Sequence, residues 1–119
     1  MEFIFRASPT IIYNFVTTPA CLVRWYCNEV DITGDVYTFY WQGSSETAIL
    51  VDDIEDERVR FVWEDADDEN EFLEFRMYKS DITNETILEI TDFCDKGEVQ
   101  EVKDLWNTLT VELRKECGG

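Results

Sequence analysis

The chain has 119 residues, of which 27 are acidic, 10 basic and none histidine, giving a formal net charge of -17. A field of that sign repels phosphate backbones and anionic headgroups at long range, so neither nucleic acid nor membrane insertion is expected. A hydrophobic content of 45%, with 14% aromatic, suffices for one core, and a single domain over 1–119 is expected.

The opening MEFIF reads as a strand; it shows no basic region followed by an apolar run, and no stretch approaches the roughly 18 apolar residues of a membrane span. The expected location is cytoplasmic. Ser8-Pro9 and Thr18-Pro19 each set a capping hydroxyl before a proline at the first helical position, where a missing N–H costs nothing. Two short helices follow from them, the first carrying Ile11, Ile12 and Phe15, the second Leu22, Val23 and Tyr26. Both are too short to stand alone.

From Glu29 the period becomes strand-like, broken by turn signals such as Thr33-Gly34-Asp35 and Gln42-Gly43-Ser44. Six strands are expected near 29–32, 36–41, 46–52, 58–64, 71–79 and 86–93. Tyr37, Phe39 and Trp41 share one face, as do Val59, Phe61 and Trp63, with Arg58 and Arg60 on the other. The pattern is that of an antiparallel sheet with one apolar and one wet face. After Asp95-Lys96-Gly97, Val99, Val102, Leu105, Trp106, Leu109 and Leu113 recur at helical spacing, an amphipathic helix whose stripe needs the apolar face of the sheet as partner.

The cysteines Cys21, Cys27, Cys94 and Cys117 include no CxxC pair, and without histidine they suggest neither a zinc site nor a Cys-His nucleophile. They are expected to be free thiols, most of them acting as small apolar residues. Six positions apart, Cys21 and Cys27 would not share a helical face.

Element order and residues together resemble a known family. A first strand ending in ASP, then IYNFVTTPACLVRW, GDVYTFYW, DERVRFVWED and ILEITDF before a helix containing LWNTL, looks like START-like proteins related to homologues of the activator of heat-shock-chaperone ATPase, within the superfamily of polyketide cyclases and birch-pollen-allergen-like proteins. The resemblance implies an α+β helix-grip fold, β-α-α-β6-α, in which a curved antiparallel sheet of about seven strands wraps a long C-terminal helix. It also implies a cavity between them that in many members holds an apolar molecule such as a lipid or polyketide. No catalytic residue or cofactor comes with it.

Trp25, Tyr37, Phe39, Trp41, Phe61, Trp63, Phe75 and Trp106, with Leu88, Leu105 and Leu109, are the candidate lining of that cavity; the same residues could equally fill a core. Tyr13, Tyr40 or Tyr78 could orient a ligand. The stretch from Asp52 to Glu74 holds twelve acids, and an EF-hand register from Asp65 fails because Asn70 stands at the glycine position and Arg76 at the bidentate glutamate. A solvated hairpin tip fits it best. Asp92 shares strand parity with Leu88 and Ile90, which makes it the one candidate for carboxylate catalysis, though a strand-end residue bound to backbone donors explains it as well. The leading expectation is non-catalytic binding of a small apolar ligand, and the alternative is a protein-interaction module whose acidic surface, with Asp65, Asp67, Asp68 and Glu69, docks a basic protein.

Overall fold

Side-chain alternation carries most of the chain into one antiparallel sheet in the computed structural model, which describes residues 1–68 and 70–119. Among these residues the strands are β1 (Glu2–Phe5), β2 (Glu29–Thr33), β3 (Val36–Trp41), β4 (Ser44–Ile54), β5 (Arg58–Trp63), β6 (Leu73–Lys79) and β7 (Thr86–Thr91). They lie in the order β1-β7-β6-β5-β4-β3-β2, so that β1 closes on the last strand and every other neighbour is a hairpin. Between β1 and β2 run helices α1 (Pro9–Thr17) and α2 (Pro19–Leu22), and after β7 a single 3-10 turn leads into α3 (Val99–Glu116). The curved seven-stranded sheet and long C-terminal helix are the expected helix-grip arrangement.

Gly34 takes a φ of +60° in the two-residue turn between Thr33 and Val36, a backbone that a side chain would oppose. β4 runs longer than the expected 46–52 and contains a bulge, because Leu50 faces Phe61 while Asp52 faces Arg60, leaving Val51 as the extra residue. The bulge reverses the alternation beyond it. Asp53 therefore shares a row with Val59 and accepts a 2.5 Å bond from the Tyr13 hydroxyl of α1, while Asp52 pairs with Arg58 at 2.6 Å.

The helix starts differ from each other. Ser8 caps α1 by accepting from the Ile11 amide at 3.3 Å, whereas Thr18 makes no side-chain cap and serves α2 only through its backbone. α1 buries Ile12, Phe15 and Val16, with Ile11 left exposed. α2 stops at Leu22, so Val23 and Tyr26 lie beyond it in the turns that lead to β2, where the Tyr26 amide still returns to the Leu22 carbonyl at 2.9 Å.

On the convex face one carboxylate is enclosed. Glu74 is 4% exposed and accepts from Arg60 and Arg76, whose Nε atoms both lie at 2.6 Å, and the Arg60 guanidinium stacks over Phe72 at 4.1 Å. Burial alone would raise the carboxyl's pKa, but the hydrogen bonds and charges of the two arginines outweigh it and hold Glu74 below its ordinary 4.5. A depressed folded pKa adds stability above the unfolded value that is lost as pH falls through the folded one. Glu74→Gln is thus expected to cost about 1–3 kcal/mol near neutrality, with the wild-type advantage shrinking as acid is added below the ordinary carboxylate range, as read by urea melts at stepped pH. In the same assay Ser8→Ala is expected to cost about 1 kcal/mol and Thr18→Ala clearly less.

Candidate functional site

The concave face divides into a filled part and an open part. In the filled part lie Tyr37, Phe39, Phe61, Phe75 and Leu88, each at most 6% exposed, with Val59 and Ile90 between them and α1 laid across β5 and β6. Their rings interlock edge to face, Tyr37 on Phe61 at 5.0 Å and Phe39 on Phe61 at 6.1 Å. Trp25 belongs here too. It is 6% exposed, its Nε1 donates to the Phe15 carbonyl at 2.8 Å, and it stands edge-on to Phe75 at 6.3 Å.

The open part is a cleft of about 490 Å³ between α3 and the end of the sheet where β3, β5 and β7 finish, lined by Tyr26, Trp41, Glu46, Trp63, Leu73, Asp92, Leu105, Trp106 and Leu109. A second hollow of about 210 Å³ adjoins it, sharing Glu46, Trp63 and Asp92 and reaching Phe72 and Phe93. Five of the sequence-derived candidates, Trp41, Trp63, Leu105, Trp106 and Leu109, line this cleft. The other six, Trp25, Tyr37, Phe39, Phe61, Phe75 and Leu88, lie in the packed part.

The wall of the cleft is held by backbone and side-chain acceptors. Trp41 Nε1 donates to the Tyr26 carbonyl at 2.7 Å, and Trp106 Nε1 donates to Asp92 Oδ2 at 3.0 Å, while the Phe93 amide donates to Asp92 Oδ1 at 2.9 Å. β7 ends at Thr91, so Asp92 sits just past the strand rather than within 86–93. Its two oxygens are taken by those donors, which is the strand-end role. Tyr26 lies parallel to Trp106 at 6.1 Å and edge-on to Trp41 at 5.5 Å. Burial, and then the charges of Asp92 and Glu46, push its hydroxyl well above the ordinary tyrosine value.

Tyr26, Glu46 and Leu73 were not among the sequence candidates. Glu46 faces Phe39 across the β3–β4 ladder and so belongs to the concave row with Ala48, a parity readable from GSSETAILVD. Leu73 heads the Leu73-Phe75-Met77 row. Tyr26 left no such signal, because its direction is set by the turn after α2. The tyrosines proposed for orienting a ligand lie elsewhere: Tyr13 is bound to Asp53, Tyr78 donates to Glu89 at 3.3 Å, and Tyr40 alternates with Phe39 and Trp41 onto the other face.

All four cysteines are free, and burial pushes the Cys27 thiol up to about 11, which keeps it protonated. Among the described residues no group of three or more Cys, Asp or Glu is placed to hold a metal ion. Asp65, Asp67 and Asp68 lie in the β5–β6 connection, with Asp68 accepting from the Asn70 amide at 2.9 Å; Glu69 lies outside the described residues. No helix among the described residues is long and apolar enough to cross a membrane.

A sheet gripping a long helix with an aromatic cleft at one end defines a helix-grip α+β protein. The family model of the START-like superfamily domain matches residues 1–118, and the chain belongs to that superfamily. Among solved structures, a Bacteroides fragilis protein determined by NMR is 29% identical, with a TM-score of 0.69 over 98% of this chain and 88% of that one. The Aha1 dimer of Colwellia psychrerythraea is 17% identical with a TM-score of 0.82, over 98% and 92% of the two chains. CalU16 of Micromonospora echinospora is 19% identical with a TM-score of 0.71, over 95% and 69%. The last two likenesses concern the fold alone. No curated protein matches the chain by sequence.

The boundary between filled and open parts makes a direct prediction. Leu88 is 0% exposed and Leu105 is 53% exposed. Leu88→Ala is expected to cost about 2–5 kcal/mol and Leu105→Ala less than about 1 kcal/mol in chemical denaturation, and equal costs would place the core boundary elsewhere.

Proposed function

We propose that the protein binds a small, largely apolar ligand without covalent chemistry in the cleft between α3 and the open end of the sheet. The observation that carries this is the cleft itself. At about 490 Å³ it lies within the usual range of small-molecule sites, and its wall is mainly aromatic and aliphatic with a few polar groups. Leu105 on α3 remains 53% exposed, apolar surface that a ligand would cover. Membership of the START-like superfamily supports a ligand-binding role for this fold.

Glu46 and Asp92 at the mouth disfavour an anionic head group, so neutral sterols or flavonoids are expected to bind better than a fatty-acid carboxylate. Native mass spectrometry of the purified protein and tryptophan fluorescence titration with those three classes test the reading. A saturable response is expected, weakened about tenfold or more, roughly 1.4 kcal/mol, by Leu109→Arg, which sets a charge in the apolar wall. The absence of any saturable response would sink it. The acidic β5–β6 connection beside the cleft supports a second reading, docking of a basic protein; a partner lost on neutralising Asp65, Asp67 and Asp68, and on raising salt, with the cleft variants inert, would favour that one.

A further inference from the structure

Donors and charges in the cleft are distributed unevenly, and the imbalance says more than its apolar character does. Four π systems, those of Tyr26, Trp41, Trp63 and Trp106, border one hollow. Two carboxylates, Glu46 and Asp92, border it as well, and neither forms an ion pair among the described residues. No lysine or arginine lines either hollow: Lys103 belongs to the separate groove under the start of α3, and Arg60, stacked over Phe72, is held by Glu74 on the convex face. An anion entering the cleft would find few donors. The indole N–H of Trp41 is taken by the Tyr26 carbonyl and that of Trp106 by Asp92, which leaves the Tyr26 hydroxyl and the Trp63 N–H.

We infer that the cleft recognises an apolar organic cation, an ammonium or similar onium head on an apolar body, with the head among the faces and edges of Tyr26, Trp41, Trp63 and Trp106 and its charge balanced by Glu46 and Asp92. The inference rests on the cleft being a ligand site and names the class of ligand it takes. The chemistry follows from the ring quadrupole: the face of an indole or phenol is negative and attracts a cation that has shed part of its water, with tryptophan the strongest host. An onium head carries its charge on a greasy surface, so it loses little on leaving water compared with a compact, strongly hydrated ion. Glu46 adds a second attraction. It stands on the apolar row of β4, opposite Phe39, at the rim where a charge can meet the ligand without being fully desolvated. The carboxylate of Asp92 is already oriented by Trp106 Nε1 and the Phe93 amide, and so is fixed before any ligand arrives. The Tyr26 ring faces the same hollow, and the pKa of its hydroxyl is raised first by burial and then by the charges of Asp92 and Glu46. The net charge of -17 adds long-range steering of the same sign.

Three probes of one shape separate charge from greasiness: benzyltrimethylammonium, its neutral isostere neopentylbenzene, and the anion phenylmethanesulfonate. Each is titrated into the intact protein, followed by tryptophan fluorescence and by the indole N–H signals in NMR spectra. The cation is expected to bind at least about tenfold tighter than the neutral isostere, and the sulfonate to show no saturable binding. Glu46→Gln and Asp92→Asn, the latter still able to accept from Trp106, are each expected to weaken the cation about threefold to tenfold and leave the neutral isostere unchanged. Trp63→Leu keeps an apolar wall while removing a π face and is expected to act the same way, with thermal melts confirming that all three variants fold. Equal binding of cation and neutral isostere, or tighter binding of the sulfonate, overturns the inference while leaving the apolar-ligand reading standing. Binding of sterol or flavonoid with none of the benzyl probes does likewise. No binding by any probe or by the lipid and flavonoid panel removes both.

Discussion

Trp106 sets the relation between helix and sheet on which the rest of the molecule depends. Its indole is 2% exposed, stands edge-on to Phe75 of β6 at 5.7 Å and lies parallel to Tyr26 at 6.1 Å. A buried indole must place its N–H, and Asp92 receives it just past the end of β7. One side chain thus fastens α3 to the middle strands, to the last strand and to the turn after α2. On its C-terminal side the helix is tied down: Leu113 is fully buried, the Arg114 guanidinium donates to the Ile4 carbonyl at 3.1 Å and stacks over Phe5 at 4.9 Å, and Arg24 meets Glu116 at 3.0 Å. On its N-terminal side Val99 and Leu105 remain 43% and 53% exposed. The cleft lies against the middle of the helix, at Leu105, Trp106 and Leu109, and the separate groove lies against its start, at Val99, Val102 and Lys103.

The acidic composition is accommodated without loading the core. Glu74, the one buried acid among the described residues, lies on the convex face between two arginines, and beyond the bulge at Val51 the consecutive Asp52 and Asp53 alternate onto opposite faces, so that one pairs with Arg58 and the other with Tyr13. The remaining acids lie mostly in turns, on the edge strands and along α3, where water solvates them, and on the edges charge discourages strands from pairing with other molecules. Glu46 and Asp92 depart from that pattern. They sit at the end of the apolar face, against aromatic rings, and this is why the cleft has an electrostatic character that a lipid-like cavity need not have.

The fold was largely legible in the sequence because it is written in periods. Tyr37-Phe39-Trp41 and Val59-Phe61-Trp63 alternate, Leu105-Trp106-Leu109-Leu113 recurs at helical spacing, and each of these patterns returns as a strand or helix facing the core. What periods cannot convey is position along an element. Phe39 and Trp41 have the same parity, yet Phe39 lies under the interlocked rings and Trp41 at the strand's end on the cleft. Trp25 and Tyr26 are a harder case, since they leave α2 through a turn with no period at all: the first is anchored to the Phe15 carbonyl inside, the second faces the hollow. The β4 bulge hid in the same way, because AILVDD is an apolar run followed by two acids, with no alternation whose break would mark the extra residue until the pairing with β5 is known.

Whether the aromatic stripe is core or cavity thus has a spatial answer. A small domain cannot leave its middle empty, because every unfilled methylene volume removes dispersion contacts from its lining. The middle of the sheet is accordingly closed by Tyr37, Phe39, Phe61 and Phe75 under α1 and Trp25. The end of the sheet faces no such demand, since a mouth open to solvent is wetted rather than void. Aromatic residues are suited to that boundary because they keep a rigid shape without being fully enclosed, and their N–H and O–H groups can be tied to acceptors in the wall. Trp41 and Trp106 are tied in this way, and with their donors occupied they offer the hollow chiefly apolar and π surface. The same hydrogen bonds that fix these two indoles in the wall therefore also withdraw their N–H donors from the hollow.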